Sequence, residues 1–348
     1  MRFIDRDEEL RFLKAYLETE PNAITFVYGP KSSGKSVLMK KVIEDLLKGG
    51  GFTAFYFDLR GRLISGYDGI VDMLFADEGV SETREVEKGL EFGIFSYFRV
   101  RKTVREEIRN RKVDPFYLME EALRKAEGKK LIVFDELQRL KNVYLNSPVN
   151  QKSLIEELFN FFVRLTKVEH LSHVFALSSD TFFIEEIYAN SSLSESSEYY
   201  LVDDPPEEIV KTYLLEEGFS TEEIECVLDG IGPLLWAVNQ IVVKKRAGVS
   251  VEESVSSLID DAYSKILTFL SGLEVRGSIR DEYIRLLKKL LEGPAKVVPF
   301  DEDMRKYKEL ADAEIVFYDP LKGEVRIRSR AKLHAIRRLI KEMGIDGA

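Results

Sequence analysis

Eight consecutive residues near the start of the chain have the types and the spacing of a phosphate-binding loop. The stretch Gly29-Pro30-Lys31-Ser32-Ser33-Gly34-Lys35-Ser36 fits the pattern G-x-x-x-x-G-K-[ST]. In this pattern the glycines let backbone N–H groups turn toward phosphate oxygens, the lysine contacts the β- and γ-phosphates, and the hydroxyl binds Mg²⁺. The sequence therefore predicts that these eight residues bind a nucleotide, with Lys35 on its phosphates and Ser36 on the metal.

The elements on either side of this stretch are those that a phosphate loop requires. The apolar run at residues 23–28 predicts a buried strand before the loop, and apolar residues at helical spacing predict a helix over residues 35–48 after it. Because a helix carries its positive end at its N-terminus, the predicted helix would face the anion. This context disfavours the alternative of an ordinary surface turn.

A second apolar run, at residues 131–134, ends in Asp135 and Glu136. Carboxylates at the end of a buried strand can serve the neighbouring phosphate loop, with Asp135 on Mg²⁺, mostly through water, and Glu136 orienting or deprotonating the attacking water. Alone, the pair could equally be two solvated acids at a strand end. Together with the loop, it predicts hydrolysis of a nucleotide γ-phosphate.

A third candidate follows the strand predicted at residues 173–178. Ser178 ends this strand, so its hydroxyl is the predicted hydrogen-bond donor to the γ-phosphate or to the attacking water. The alternative is that Ser179 or Asp180 caps the helix predicted over residues 181–188. Both interpretations can hold at once.

The composition sets limits on the class of protein. At 348 residues the chain is expected to form two or three domains, and its net charge of -10 argues against a general nucleic-acid coat. A single cysteine excludes an internal disulfide framework and fits a reducing compartment. Because no signal peptide or membrane span is recognisable, we expect a cytoplasmic protein that does not bind membranes.

The order of apolar runs predicts an α/β fold, in which a parallel five-stranded sheet has helices on both faces. The predicted strands lie at residues 23–28, 53–58, 131–134, 173–178 and 199–202. A charge-rich segment at residues 61–127 is expected to contain two or three helices. Within it, the run at residues 92–98 could be a hairpin strand or a buried helix, because short apolar runs do not settle that choice.

The rest of the chain predicts two smaller domains. After Pro205 and Pro206 the pattern is helical, with helices expected at residues 206–217, 221–228, 233–245 and 251–273, the last capped by Ser250. Helices at 282–291, 303–310 and 331–343, with hairpin strands at 314–318 and 324–328, have the outline of a winged-helix domain. We therefore expect a core at residues 1–204, a helical lid at 205–274 and a winged helix at 275–348.

Together these features resemble the archaeal ATPase family of the STAND branch of AAA+-type P-loop proteins. Besides the phosphate loop, Asp135-Glu136-Leu137-Gln138 matches the Asp-Glu-apolar-Gln motif of that family. The stretch Phe3-Ile4-Asp5-Arg6-Asp7-Glu8-Glu9-Leu10 looks like its opening motif, and Gly232-Pro233 looks like the Gly-x-Pro motif of its lid, with Gly230 or Gly232 as the motif glycine. The resemblance implies that Asp5 and Arg6 lie near the adenine and that Pro233 closes over the base and ribose. Alternatively, Pro233 only begins a helix.

The resemblance implies an ATPase that uses ATP/ADP and Mg²⁺ and acts as a nucleotide-controlled switch. Residues 179–200 contain no arginine, so the usual position of an arginine finger is empty, and we expect slow hydrolysis. Arg139 and Arg164 are possible substitutes within the chain, although solvated surface charges are the simpler interpretation. Two other hypotheses stay open, namely a DNA-associated ATPase and a protein that holds ADP without turnover.

Residues 322–342 contain eight basic residues and two acidic ones, which a winged helix could use to hold DNA phosphates. The presumed recognition helix, however, begins with Asp301, Glu302 and Asp303, which would repel DNA. We therefore favour a protein partner for the C-terminal domain, with DNA as the less favoured possibility.

Overall fold

The structure is a computed structural model that describes residues 6–60, 64, 66–77, 94–95, 97–144, 153–190, 193–275, 279–298 and 302–344. The chain forms two compact units, and the six residues Gly29–Gly34 belong to the second of them although they lie early in the sequence. We call Arg6–Tyr28 with Lys35–Leu201 the sheet unit, and Gly29–Gly34 with Val202–Ala348 the C-terminal unit.

The sheet unit alternates strands and helices along the chain. Its elements are α1 (Asp7–Glu18), β1 (Ile24–Tyr28), α2 (Lys35–Gly49), β2 (Phe52–Asp58), α3 (Tyr67–Leu74), β3 (Phe75–Asp77), β4 (Ile94–Phe95), β5 (Phe98–Val100), α4 (Lys102–Arg109), α5 (Pro115–Lys125), β6 (Lys129–Asp135), a 3₁₀ helix (Leu137–Leu140), α6 (Leu154–Val163), a π-helical segment (Arg164–Val168), β7 (His173–Ser178), α7 (Thr181–Tyr188) and β8 (Ser197–Leu201).

The main sheet of this unit has six strands in the order β4-β2-β6-β7-β1-β8, and every neighbouring pair is parallel. All five residues of β1 are buried, because this strand lies between β7 and β8 and is covered on both faces. The carboxyl ends of parallel strands lie at one edge of a sheet. This edge therefore carries Asp58, Asp135 and Ser178, at or next to the last residues of β2, β6 and β7.

The strand order also separates two elements that the sequence places in one site. The strand β7 lies between β1, which leads into the phosphate loop, and β6, which ends in Asp135. The register pairs Asp135 with Asp58 on one side and with Leu177 on the other. Side chains that follow β2 are therefore direct neighbours of Asp135, a relation that sequence order does not reveal.

All five predicted strands are present, and the additional edge strand β4 completes the sheet. The described residues of the run at 92–98 include β4 and the start of β5 rather than a helix. The strand β4 pairs in parallel with β2, whereas β5 pairs in parallel with β3 in a separate two-stranded sheet. The predicted helices of the 61–127 segment are confirmed as α3, α4 and α5. The helix α1, which our pattern reading did not assign, buries Leu10, Leu13 and Leu17.

The C-terminal unit is mostly helical. Outside the loop residues Gly29–Gly34, its elements are α8 (Glu207–Glu216), α9 (Thr221–Ile231), α10 (Leu235–Arg246), α11 (Val251–Val275), α12 (Arg280–Leu291), β9 (Ala295–Lys296), α13 (Met304–Asp312), β10 (Val316–Asp319), β11 (Glu324–Ile327) and α14 (Arg330–Glu342). The predicted hairpin is confirmed as β10 and β11, and β9 adds a third antiparallel strand. The name winged helix and the three domain boundaries stay predictions.

Local sequence explains how several of these helices begin and pack. The Ser250 hydroxyl accepts a hydrogen bond from the Glu253 N–H at 3.1 Å, which confirms the predicted cap of α11. A Cβ on Gly230 in α9 would lie 2.3 Å from a methyl of Val255, so this glycine lets α9 and α11 approach closely.

In the described part of the chain, no helix combines the length and the apolar character that crossing a membrane requires.

Candidate phosphate-binding and hydrolytic site

The phosphate loop has the strained backbone that its glycines allow. Gly29 and Gly34 have φ angles of 151° and 93°, and Ser32 is left-handed at 64°. A Cβ on Gly29 would lie 2.1 Å from the carbonyl oxygen of Val202, so no other residue fits there. The Ser33 N–H donates to the Pro30 carbonyl at 3.2 Å and closes a turn. Turns that pass through left-handed residues form the concave backbone surfaces that bind phosphate.

The two remaining loop residues, Lys35 and Ser36, open the helix α2. Lys35 is buried, with 7% of its surface exposed. A helix N-terminus favours negative charge nearby. This position suits the predicted contact of Lys35 with nucleotide phosphates.

Asp135 is a buried carboxylate at the end of β6. It accepts a hydrogen bond from the Tyr56 hydroxyl at 2.7 Å and another from the guanidinium of Arg60. Burial raises the pKa of Tyr56 well above its usual value, and the Asp135 carboxylate adds to this effect. Tyr56 therefore stays a hydrogen-bond donor and holds Asp135 in one orientation.

Arg60 connects this carboxylate to the start of α2. One nitrogen of its guanidinium donates to Ser36 Oγ at 2.7 Å and to Asp135 Oδ2. Its backbone N–H and Nε donate to Asp58 Oδ1 at 2.9 Å and 3.2 Å. Partial burial alone would lower the pKa of Arg60, but the carboxylates of Asp135 and Asp58 outweigh it and raise this pKa. Arg60 thus remains charged and brings the two predicted metal ligands together.

Ser36 and Asp135 fit a magnesium ion. Both offer oxygen atoms, which are the ligands that Mg²⁺ prefers, and one cationic nitrogen already contacts both oxygens. Magnesium is commonly held by one or two protein oxygens together with water and phosphate oxygens. The pair therefore has the chemistry and the proximity that the predicted metal site requires.

Glu136 is held by neighbours that orient its carboxylate. Its backbone is left-handed, with φ of 64°, because the strand stops and a 3₁₀ helix starts at this point. The Gln138 side-chain amide donates to Glu136 Oε2 at 2.6 Å, and the Ser179 hydroxyl reaches the same oxygen at 3.4 Å. A carboxylate fixed in this way can accept a proton from a water in one defined direction.

The two serines after β7 have different surroundings. The Ser178 hydroxyl, which our prediction placed on the γ-phosphate or the attacking water, is buried and accepts a hydrogen bond from the Asp180 N–H at 3.1 Å. Ser179 is the one that contacts Glu136. Asp180 caps α7 by accepting from the Phe183 N–H at 3.0 Å, which confirms the capping interpretation. The catalytic role of Ser178 stays a prediction. Of the two serines, Ser179 is the one with a described hydrogen bond to Glu136.

The remaining predicted residues lie in several places. Asp5 lies outside the described residues. Arg6 is buried and pairs with Glu9 at 2.8 Å, just before α1 begins. Pro233 precedes α10 by two residues, so the alternative interpretation of this proline as the first residue of the helix is wrong. The adjacent Gly232 has φ of 73° and ends α9.

Neither of the suggested substitutes for an arginine finger belongs to this cluster. Arg164 pairs with Glu120 at 3.0 Å, and Arg139 is exposed in the 3₁₀ helix that follows Glu136. The arginine that reaches the site is Arg60, which sequence reasoning missed. Its position was the available signal. Arg60 lies two residues after the end of β2, and β2 and β6 end at the same edge of the sheet.

Comparisons with known proteins find related sequences and a related fold. Residues 3–232 match a family model described as an ATPase domain predominantly from Archaea. An uncharacterized ATP-binding protein of Methanocaldococcus jannaschii is 38% identical over 347 residues, which cover 98% of this chain and 95% of that protein. An uncharacterized ATP-binding protein of Pyrococcus abyssi is 31% identical over 356 residues, which cover 97% and 99%.

Among solved structures, the Aeropyrum pernix ORC2 protein, determined as ADPNP-ADP complexes, superposes with a TM-score of 0.50 at 11% identity. The match covers 99% of this chain and 96% of that one. At this identity the likeness concerns the fold alone. It confirms the predicted α/β fold, with a parallel sheet, flanking helices and a helical C-terminal region.

Proposed function

The chain belongs to the family of ATPase domains found predominantly in Archaea, and we propose that it binds and slowly hydrolyses ATP as a magnesium-dependent switch. The observation that carries the hydrolytic part is the cluster at the carboxyl edge of the sheet. There Ser36 and Asp135 share one cationic partner, and Glu136 is oriented by Gln138. A nucleotide-binding protein without hydrolysis would not need the oriented glutamate.

Each residue of the proposed site has one task. Lys35 neutralises the β- and γ-phosphates, and Ser36 and Asp135 hold Mg²⁺, which would spread the charge of the transferred phosphoryl group. Glu136 orients a water whose oxygen attacks the γ-phosphorus as the bond to the β–γ bridging oxygen breaks. The water proton passes to Glu136 or to a phosphate oxygen, and the products are ADP and inorganic phosphate.

The switch role is supported by contacts inside the C-terminal unit. Arg328, next to the end of β11, donates to the carbonyl oxygen of Lys31 at 3.0 Å and pairs with Asp204. Lys31 Nζ also pairs with Glu314 Oε1 at 2.6 Å. A change in the conformation of the phosphate loop must therefore alter contacts of the C-terminal β-strands, which is the coupling that a nucleotide switch needs.

We expect slow turnover because residues 179–200 contain no arginine. This is the segment that would otherwise supply an arginine finger to the active site of a neighbouring subunit. Such an arginine contributes about 10³–10⁵-fold to the rate where it is used. We expect bound nucleotide to persist between turnovers.

Nucleotide binding is tested by thermal unfolding of wild type and Lys35→Ala with saturating ATP or ADP. At a nucleotide concentration of 100 times Kd, wild type gains about 2.7 kcal/mol of stability. The variant loses this gain because the nucleotide phosphates no longer contact the lysine. Lys48→Ala at the other end of α2 is the control and keeps the shift, since this lysine pairs only with Glu44 in the described contacts. An unchanged shift in Lys35→Ala would refute the site.

Hydrolysis is tested separately by phosphate release from wild type and Glu136→Gln. The glutamine keeps the size of the side chain but cannot accept the water proton, so we expect release to fall about 10²–10³-fold while ADP affinity is retained. Equal turnover in the two proteins would leave ADP holding without hydrolysis as the function.

We also propose that the C-terminal region contacts protein rather than DNA. Five of the eight basic residues at 322–342 pair with acids of the same unit: Lys322 with Asp319, Arg326 with Asp203, Arg328 with Asp204, Arg330 with Glu207 and Arg338 with Asp260. Charges used in this way are not available to phosphates without breaking those pairs. Duplex DNA binding with a steep salt dependence would favour DNA instead.

A further inference from the structure

Arg60 stands where a cation is needed. Its terminal nitrogen contacts Ser36 Oγ at 2.7 Å and Asp135 Oδ2, and these are the two oxygens assigned to Mg²⁺. A metal ion held by the same two oxygens, directly or through a water on Asp135, would need the position between them that this nitrogen occupies. The guanidinium and the metal therefore cannot contact both oxygens at the same time.

We propose that Arg60 is an internal counter-cation that holds Ser36 and Asp135 in place of Mg²⁺ and that the metal must displace. The proposal rests on the proposed nucleotide site and adds a determinant of its metal dependence. Without magnesium, the guanidinium supplies the positive charge that Asp135 and the nucleotide phosphates require. With magnesium, it must swing away from these oxygens.

The surroundings of Arg60 suit such an exchange. The Asp135 side chain is only 2% exposed, so losing every cationic partner would leave a buried charge uncompensated. The Arg60 side chain is 48% exposed, so it can leave these oxygens for solvent without crossing packed side chains. Asp58 holds the backbone N–H and Nε of Arg60 and would keep the displaced guanidinium close by.

An arginine with nearly the same exposure provides a matched control. Arg124 is 49% exposed and pairs with Glu120 and Glu169, neither of which belongs to the proposed site. Arg124→Gln removes one positive charge from the same unit and leaves the site intact. Arg60→Gln also removes one positive charge, but this charge contacts the two predicted metal ligands.

The test is the affinity for ADP measured by titration calorimetry in EDTA and in MgCl₂, for wild type, Arg60→Gln, Arg60→Lys and Arg124→Gln. The Kd in EDTA divided by the Kd in MgCl₂ measures how far ADP binding depends on the metal. We expect Arg60→Gln to raise this ratio about tenfold, because metal-free ADP loses a cationic partner and Mg²⁺ loses a competitor. The MgCl₂ concentration that half-saturates the ADP complex should fall in the same variant.

The other proteins separate the possible outcomes. Arg60→Lys keeps a charge and should have a ratio closer to wild type, whereas Arg124→Gln should match wild type within twofold. A ratio in Arg60→Gln within twofold of wild type would overturn the inference while leaving the nucleotide site standing. If wild type bound ADP in neither buffer, the proposed function would fail together with the inference. These readouts do not depend on turnover.

Discussion

Two arginine–carboxylate contacts, one in each unit, are built in opposite ways. Arg60 reaches Asp135 with about half of its side chain exposed, whereas Arg328 and Asp204 have side chains only 6% and 11% exposed. One guanidinium nitrogen of Arg328 donates to the carbonyl oxygen of Lys31 at 3.0 Å and to Asp204 Oδ1 at 3.1 Å, and the other donates to Asp204 Oδ2. The first contact joins a buried acid to a half-exposed cation, and the second joins two largely buried charges.

The difference in exposure distinguishes a contact that a ligand can displace from one that persists in the folded protein. Removing one partner of a buried pair leaves a charge without compensation and is strongly destabilising, so a buried pair stays closed while the protein is folded. A half-exposed guanidinium can move into solvent at little cost to itself, so Arg60 can give up Asp135 to a metal ion that then compensates the buried carboxylate. We therefore assign ligand exchange to Arg60, and to Arg328 a fixed connection between the phosphate loop and the C-terminal strands.

The largest predicted effect comes from breaking the buried contact. Arg328→Met should lower the free energy of unfolding of the C-terminal unit by about 3–5 kcal/mol, because Asp204 would remain buried and unpaired. Urea unfolding followed by the fluorescence of Trp236, the only tryptophan of the chain and a residue of α10, measures this unit. A loss below about 1 kcal/mol would remove the distinction between the two contacts.

A neighbouring arginine gives the control for this prediction. Arg326 pairs with Asp203 through two 2.6 Å hydrogen bonds, but the two side chains are 31% and 39% exposed. Arg326→Met should therefore cost about 1 kcal/mol or less. Replacing both buried partners, in Arg328→Met with Asp204→Leu, should recover at least half of the loss because no uncompensated charge remains.

A smaller effect is expected at the catalytic edge of the sheet unit. Gln138→Ala should lower phosphate release about tenfold, because Glu136 loses the 2.6 Å hydrogen bond that orients it. ADP affinity and the Trp236 unfolding curve should not change, since Gln138 acts on the glutamate alone. Ser179→Ala should have a weaker effect because its contact is 3.4 Å long. An equal loss of ADP affinity would make Gln138 a binding residue instead.

Sequence reasoning succeeded where one element determines the outcome. The loop motif, its flanking strand and helix, and the acids at the end of β6 depend on local pattern, and the structure has them in the predicted elements. Helix boundaries such as that of α11 agreed because Ser250 caps it. In each case, spacing along the chain was sufficient evidence.

The missed features depend on strand order. Arg60 meets Asp135 because β2 and β6 are neighbours in the sheet, although the two residues lie 75 positions apart in the sequence. Arg328 meets Asp204 across 124 positions. Ser179 contacts Glu136 across 43 positions, a contact that the sequence pattern did not indicate. Such contacts follow from topology and register, which a single sequence does not specify.

The smallest predicted effect belongs to the exposed contact between Lys31 and Glu314. Partial burial alone would raise the pKa of Glu314, but the ammonium of Lys31 outweighs it and holds this pKa below its usual value. A carboxyl whose pKa is lowered by folding stabilises the protein above its unfolded pKa of about 4.3 and loses that contribution as the pH falls through the folded pKa. Because both side chains are largely exposed, the contribution is at most about 1 kcal/mol.

Glu314→Gln should therefore lower the urea midpoint of the Trp236 transition slightly at pH 7. This difference should shrink as the pH falls below about 4 and vanish once the pH lies below the lowered pKa of folded Glu314. Lys31→Gln should have the same small effect at pH 7, and the double variant should lose no more than either single one, since both remove one contact. A difference that persists at acid pH would mean that Glu314 stabilises the C-terminal unit by packing rather than by charge. In that case, of these two described contacts, the hydrogen bond from Arg328 to the Lys31 carbonyl oxygen would be the one that ties the phosphate loop to the C-terminal strands.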